Sequence, residues 1–206
     1  PAERVHVIQP VTGGGFGGKT DAAFDVGTRT ALMAYLCRRP VKMIYTREES
    51  ITVSSKRHAC SIRYKSGADR DGRLTAIEVE IYLNKGAYAS VGAFMPVAGG
   101  LTTYMAVHAS GPYKVPNVKI DVYNVYTNNP FGSPMRGYSV PQVTFAHEAQ
   151  IEQLADKLGI DPLEIRLRNV LETGAEAATG QVLHHSVGLK ETLIRAAEAA
   201  GWARQG

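Results

Sequence analysis

The sequence is organised around Gly13-Gly14-Gly15-Phe16-Gly17-Gly18-Lys19-Thr20, in which five glycines surround one aromatic residue. Glycine loses more conformational freedom on folding than any other residue, so a dense cluster is costly for an ordinary turn. The cluster is favoured where the main chain must approach a ligand closely. We therefore predict a ligand-binding loop here. The alternative is a crowded turn that holds no ligand.

Two chemistries compete for this glycine loop. It fits the phosphate-binding P-loop pattern of Gly13, four residues, Gly18, Lys19 and Thr20, between a strand-like run at residues 4–9 and a helix-like run at 21–36. A P-loop enzyme also needs a carboxylate at the end of a second buried strand, within a sheet of alternating strands and helices. The sequence indicates neither feature, so nucleotide binding is the weaker interpretation.

Two distant segments favour the other chemistry. They are Met135-Arg136-Gly137-Tyr138-Ser139-Val140-Pro141-Gln142 and Asp161-Pro162-Leu163-Glu164-Ile165-Arg166-Leu167-Arg168-Asn169. With the glycine loop, in this order, they resemble the molybdenum-binding large subunit of the xanthine dehydrogenase and aldehyde oxidase family, the molybdenum hydroxylases. The resemblance covers almost the whole chain. Three ordered motifs are more specific than one loop, so this interpretation outweighs the P-loop.

The resemblance implies an oxidoreductase that hydroxylates an aromatic N-heterocycle beside the ring nitrogen, or an aldehyde carbon, with oxygen from water. It implies a molybdopterin cofactor, in the simple or the cytosine dinucleotide form, held largely by main-chain amides. The family's cofactor-contacting positions correspond in this sequence to Gly14, Gly15, Phe16, Gly17, Arg136 and Gly137. A surface ion pair is the alternative role for Arg136.

Three positions are implied to contact the substrate. Tyr138 stands where xanthine-oxidising members place an aromatic ring, and such a face suits a flat heterocycle. Thr20 replaces a glutamate that is usual in those members, and Tyr104 matches the position of their substrate-facing arginine. These two differences make xanthine itself a poor candidate, while leaving an aromatic N-heterocycle or an aldehyde.

The resemblance also indicates what the chain lacks. The family's general base, a glutamate near the end of the large subunit, has no counterpart before Gly206, so we assign no catalytic residue. We interpret residues 1–206 as part of the molybdopterin-binding domain of a larger or split large subunit, inactive alone. The resemblance implies iron-sulfur and FAD partner subunits or domains, in an oligomer. The alternative is a non-catalytic scaffold or assembly domain.

Composition restricts the other classes of function. The net charge is +4 without a basic run interleaved with aromatic residues, so nucleic-acid binding has little support. No apolar run is long enough to cross a bilayer. Two cysteines, Cys37 and Cys60, are too few for a disulfide framework and favour a reduced, cytoplasmic setting. His184 and His185 lack further ligands nearby, so no protein-ligated metal is assigned.

The predicted fold class is α+β, a molybdenum-cofactor-binding domain with antiparallel strands and packed helices. An Asp-Gly turn predicts a hairpin of residues 60–66 and 74–83, and alternating apolar residues predict a further strand at 118–122. Short strands are also expected at 5–8 and 41–45. Helices are predicted at 21–36, from Thr46, through 143–158, from Asp161 and at 189–200. The polar residues interpreted as structural are Asp21, Asp25, Glu48, Glu49, His58 and His147.

Overall fold

A computed structural model describes residues 2–88 and 100–202. A short 3-10 helix at Ala2–Arg4 opens this part of the chain. The remaining elements, in chain order, are α1 (Thr20–Cys37), α2 (Arg47–Val53), β1 (Cys60–Ala68), β2 (Leu74–Gly86), α3 (Leu101–His108), β3 (Asn117–Tyr126), α4 (Val140–Leu158), α5 (Pro162–Asn169) and α6 (Leu189–Ala199). Helices and a sheet are mixed without regular alternation, so the α+β prediction is confirmed.

The three strands form one sheet in the order β1-β2-β3. The predicted hairpin is present, because β1 pairs antiparallel with β2. β3 pairs with β2 in parallel. The sequence analysis predicted antiparallel strands and no parallel pair. Parallel neighbours need a long crossover connection, and the chain between β2 and β3 provides one that contains α3.

The core lies on one face of β2. Ile77, Val79, Ile81 and Leu83 alternate along the strand and are buried, as the period of two predicts. Side chains of α3 and α4 cover them, chiefly Leu101, Met105 and Val143. The sheet therefore forms one layer and helices α3 and α4 form the other, with the apolar core between them.

The third sequence motif, in α5, holds the structure together around the hairpin. Asp161 caps the helix by accepting hydrogen bonds from the amides of Leu163 and Glu164, at 2.8 and 3.0 Å. The buried Asn169 donates to the Gly72 carbonyl at 2.7 Å and accepts from the Leu74 amide at 2.8 Å. A motif that carried the family resemblance thus ties α5 to the hairpin turn.

Two predicted strands are absent, which corrects the sequence interpretation. Residues 5–8 and 41–45 form no strand, although both have apolar residues typical of one. A strand requires a hydrogen-bonded neighbour, and in the part of the chain that the structure describes neither segment has one. Val7 is 85% exposed, so burial does not stabilise the segment either.

Helix α1 is present as predicted, but its apolar face is open. Phe24 is 79% exposed, and Leu32 and Tyr35 are also exposed. The helix is instead anchored by polar contacts. Asp25 forms an ion pair with Arg29 and accepts a hydrogen bond from the Tyr45 hydroxyl. This agrees with a structural role for Asp25.

Candidate functional site

The glycine loop adopts backbone conformations that explain its composition. Gly14, Gly17 and Gly18 have φ angles of +129°, +74° and +63°. A Cβ atom on Gly17 would lie 2.3 Å from the Pro134 carbonyl oxygen, so this position excludes any larger residue. Phe16 has a φ of +53°, a left-handed conformation that is uncommon for a non-glycine residue. The loop is therefore shaped by close approach of one main chain to another.

The approaching chain is the segment that leads into the second motif. Gly17 and Met135 form an antiparallel bridge, and the Gly18 amide donates to the Pro134 carbonyl at 2.5 Å. At the start of α1, the Asp21 carboxylate accepts a hydrogen bond from the Ser133 hydroxyl at 2.5 Å. Two motifs far apart in the sequence are thus joined by backbone contacts, with Asp21 in a structural role.

Aromatic and cationic side chains meet at this junction. The Arg136 guanidinium lies 5.5 Å from the centroid of the Phe16 ring, within the range of a cation–π contact. Phe16 remains 60% exposed. Among the described residues no carboxylate pairs with Arg136, so the surface ion pair considered as its alternative role is not formed.

Lys19 has a different position from a P-loop lysine. Its Nζ donates to the carbonyl of Gly15 at 3.0 Å and lies over the Phe16 ring. No strand precedes the loop in the described residues, whereas a P-loop connects a strand to a helix. The P-loop interpretation therefore does not fit this fold.

The second motif turns sharply after Arg136. Gly137, Tyr138 and Ser139 all have left-handed φ angles, of +89°, +41° and +75°. Non-glycine residues in that region cost about 1–3 kcal/mol each and persist only where the surroundings hold them. The turn is closed by two hydrogen bonds, from the Tyr138 amide to the Met135 carbonyl and from the Val140 amide to Gly137.

Tyr138 packs against a side chain of α3. Its ring meets the Tyr104 ring edge-on, with centroids 5.0 Å apart. Tyr104 also stacks near His108, with centroids 6.1 Å apart, and is 41% exposed. Burial, followed by the neighbouring Tyr104, raises the pKa of the Tyr138 phenol above its ordinary value, so this hydroxyl stays protonated near neutral pH. Tyr104 and Tyr138 together present a partly exposed aromatic surface between α3 and the second motif.

The residues present fit a cofactor held by main-chain groups. A Cβ atom on Gly13 or on Gly15 would meet nothing within 4 Å, so open space borders both positions. Ser139 is 1% exposed, and its hydroxyl has no hydrogen-bond partner among the described residues. The open space at Gly13 and Gly15 would let a ligand approach the main chain of the loop, and the Ser139 hydroxyl is a separate buried polar group in the second motif that still lacks a partner.

The remaining predicted positions have mixed outcomes. Thr20 is the first residue of α1, and its side chain lies outside the described part of the structure. The His58 ring is buried and its Nδ1 lies 2.9 Å from the Asn84 carbonyl oxygen, in agreement with a structural role. His147 is buried, with Nε2 3.3 Å from Glu148 and an unpartnered Nδ1. Within residues 2–88 and 100–202, no cluster of His, Cys, Asp or Glu could hold a metal ion.

Sequence reasoning missed three residues at this site. Arg57 contacts the second motif from outside it, Gln142 receives that contact, and Ser139 provides the buried hydroxyl. Gln142 and Ser139 were inside a recognised motif, so their position alone was a usable signal. The sequence gives no such signal for Arg57, because a single arginine before a strand is common on protein surfaces.

Comparison with known proteins defines the class. The profile of the molybdopterin cofactor-binding domain family matches residues 1–170, and the chain belongs to this family. The resemblance carried by the three motifs is thereby confirmed. No helix in the described ranges is long and apolar enough to cross a membrane.

The relatives are larger proteins. The large molybdopterin subunit of nicotinate dehydrogenase from Eubacterium barkeri is 50% identical over 97% of this chain and 45% of that subunit. A putative molybdenum-binding subunit of xanthine dehydrogenase from Escherichia coli is 37% identical over 100% of this chain and 26% of that protein. Quinoline 2-oxidoreductase from Pseudomonas putida is similar in structure, with a TM-score of 0.76 and 27% identity over 93% of this chain and 24% of the other. The chain spans less than half the length of each.

Proposed function

We propose that this chain contributes cofactor-contacting segments and part of the substrate pocket to a molybdenum hydroxylase. The substrate would be an aromatic N-heterocycle, hydroxylated with oxygen from water. The observation that carries the proposal is the bridge between Gly17 and Met135. It brings the glycine loop, Phe16 and Arg136 around one junction, as a single composite binding site requires.

The roles of the residues follow from their environment. Gly14, Gly15 and Gly17 would let main-chain amides face the pterin, and Gly137 would let the second segment pass close to it. Arg136 would direct its positive charge toward the anionic parts of the cofactor, while the Phe16 ring limits its movement. When bound, the molybdenum cofactor supplies the oxidation of carbon with oxygen from water.

Substrate positioning would depend on the aromatic pair of Tyr104 and Tyr138. A flat ring that packs on an exposed aromatic face gains about 0.5–1.5 kcal/mol beyond the area it buries. Thr20 would complete the pocket in place of an acidic side chain. A pyridine carboxylate is the first substrate to test, because the relative at 50% identity is named for nicotinate.

The rest of the enzyme would lie outside this chain. We propose that residues 1–206 are part of the molybdopterin-binding domain of a larger or split large subunit, and that the general-base glutamate comes from another segment. Electrons would pass to iron-sulfur and FAD partners. We also propose a reduced, cytoplasmic setting, because two cysteines are too few for a disulfide framework.

The test uses the complete assembly that contains this chain. Elemental analysis should find stoichiometric molybdenum, and released pterin should be detectable by fluorescence. Turnover of pyridine-3-carboxylate should exceed that of xanthine, and product formed in ¹⁸O-labelled water should carry the label.

Other outcomes separate the parts of the proposal. An assembly with neither molybdenum nor pterin contradicts the cofactor assignment and favours a scaffold domain. Molybdenum together with turnover of aldehydes alone keeps the cofactor assignment and overturns the substrate class.

A further inference from the structure

The left-handed turn at residues 137–139 needs support from outside itself. It contains two non-glycine residues with positive φ, and the hydrogen bonds that close it run from the Tyr138 amide to the Met135 carbonyl and from the Val140 amide to the Gly137 carbonyl. Such conformations persist where the surrounding structure holds them. The groups that contact the two ends of the turn therefore determine whether Arg136 and Tyr138 keep their positions.

Arg57 contacts both ends of this turn. Its Nη2 donates to the carbonyl oxygen of Arg136 at 2.5 Å, directly before the first left-handed residue. Its Nη1 donates to Oε1 of Gln142 at 3.2 Å, beyond the last one. The Gln142 amide nitrogen in turn donates to the His58 carbonyl at 3.1 Å. The planar guanidinium of Arg57 thus contacts residues on both sides of the strained turn. Gln142 links back to the main chain at His58, the residue that follows Arg57.

The backbone that carries Arg57 is itself fixed. The Ser133 amide donates to the Lys56 carbonyl at 2.8 Å, and Lys56 bridges to Gly132. On the other side, His58 is buried and packs so closely on Gly132 that a Cβ there would lie 2.3 Å from Nδ1. Arg57 therefore extends from a rigid support that also holds the start of the second motif.

We propose that Arg57 is a positioning residue of the cofactor site, which braces residues 137–139 and keeps Arg136 and Tyr138 in place. The brace uses a charged donor on neutral acceptors, and no carboxylate among the described residues competes for it. Its effect on cofactor and substrate rests on the proposed function, whereas its effect on the turn does not.

The proposed bracing by Arg57 depends on two donor nitrogens, Nη1 and Nη2, held in one planar group. An arginine presents several donors in one rigid plane, while a lysine ammonium is a compact point charge on a flexible stem. Arg57→Lys preserves the charge but not the two-ended contact. The two substitutions Arg57→Ala and Arg57→Lys therefore separate bracing from simple electrostatics.

Hydrogen exchange of the assembled protein measures the brace directly. In Arg57→Ala, amides of the peptide covering residues 134–143 should exchange about tenfold faster, while peptides from β2 keep the parent rate. Arg57→Lys should show an intermediate increase. Molybdenum content should fall several-fold in Arg57→Ala, and KM of the loaded fraction should rise, because Arg136 and Tyr138 both lose their positions.

Arg63→Ala is the matched control, since Arg63 lies on exposed β1 near Glu80 and Tyr82 and does not contact the motif. It should leave the exchange of residues 134–143, the molybdenum content and KM unchanged. Unchanged exchange in Arg57→Ala, or an equal increase in β2, overturns the proposal. Full protection restored by Arg57→Lys would show that charge alone suffices and would overturn the two-ended brace. A parent assembly without molybdenum contradicts the proposed function, while the exchange comparison still tests the brace.

Discussion

The guanidinium of Arg136 lies 5.5 Å from the centroid of the Phe16 ring, so the cation of the second motif rests against the aromatic residue of the first. At exposed positions such a contact stabilises by about 0.5–1 kcal/mol. That is too little to hold two loops together, so the backbone bridge between Gly17 and Met135 must provide most of the alignment. The cation–π contact then sets where the charge points.

Replacing Arg136 should therefore affect the cofactor more than the fold. We expect Arg136→Ala to lower molybdenum content or kcat strongly. Arg136 is exposed in this chain, but the proposed cofactor and the rest of the enzyme would exclude water around it, and loss of a charge-assisted contact in such a site costs about 2–4 kcal/mol. Elemental analysis and steady-state kinetics of the complete assembly measure this effect. Arg70→Ala, in the exposed hairpin turn, is the control. Normal metal content and kinetics in Arg136→Ala would show that Arg136 does not contact the cofactor.

Tyr138 should behave differently from Arg136. We expect Tyr138→Ala to raise KM for a heterocyclic substrate about tenfold while molybdenum content is retained, because the ring is proposed to contact the substrate. Tyr138→Phe keeps the edge-on packing against Tyr104 and should stay close to the parent. Loss of molybdenum in Tyr138→Ala would instead show that the ring supports the cofactor loop.

The glycine loop provides a matched pair of substitutions. Gly17→Ala forces a Cβ to within 2.3 Å of the Pro134 oxygen at a φ of +74°, so the loop must separate from the second motif. The left-handed conformation alone costs about 1–2 kcal/mol. We expect a lower thermal midpoint and loss of molybdenum. Gly13→Ala meets no atom within 4 Å and should leave the midpoint unchanged. Equal midpoints for both variants would contradict the close approach.

The parts of the fold with local signals were predictable from sequence. The hairpin followed from its Asp-Gly turn and alternating residues, and α2 followed from Thr46, whose capping box with Glu49 is formed. The glycine loop and the second motif could be recognised, but not their contact, because the Gly17 to Met135 bridge leaves no pattern in either segment.

The failures have a common physical cause. Residues 5–8 and 41–45 have the composition of strands, yet a strand exists only with a hydrogen-bonded neighbour, and none pairs with them in the described ranges. The parallel pairing of β3 depended on the crossover through α3, which residue alternation does not encode. Arg57 was missed because its importance arises from the conformation of a distant turn.

The contact between α4 and α5 should be sensitive to acid. Glu148 is half-buried, which alone would raise its pKa, but hydrogen bonds from His147, Tyr113 and Arg166 outweigh burial and lower the pKa to about 2. Arg166 lies 2.9 Å from Glu148 and 2.7 Å from Glu152. The ionised carboxylate is thus favoured in the folded state.

A lowered pKa fixes the sign of the pH dependence. The stability from Glu148 is fully present above its ordinary pKa of 4.5 and is lost as pH falls through about 2. We expect the difference in thermal midpoint between parent and Glu148→Gln to be largest near pH 6 and to shrink toward pH 2. Salt separates this network from a surface pair. At high salt the difference for Glu148→Gln should persist, whereas the difference for Glu172→Gln should disappear, because the exposed pairs of Glu172 with Lys114 and Lys190 are screened. A difference between parent and Glu148→Gln that does not vary with pH would show that the network contributes no acid sensitivity.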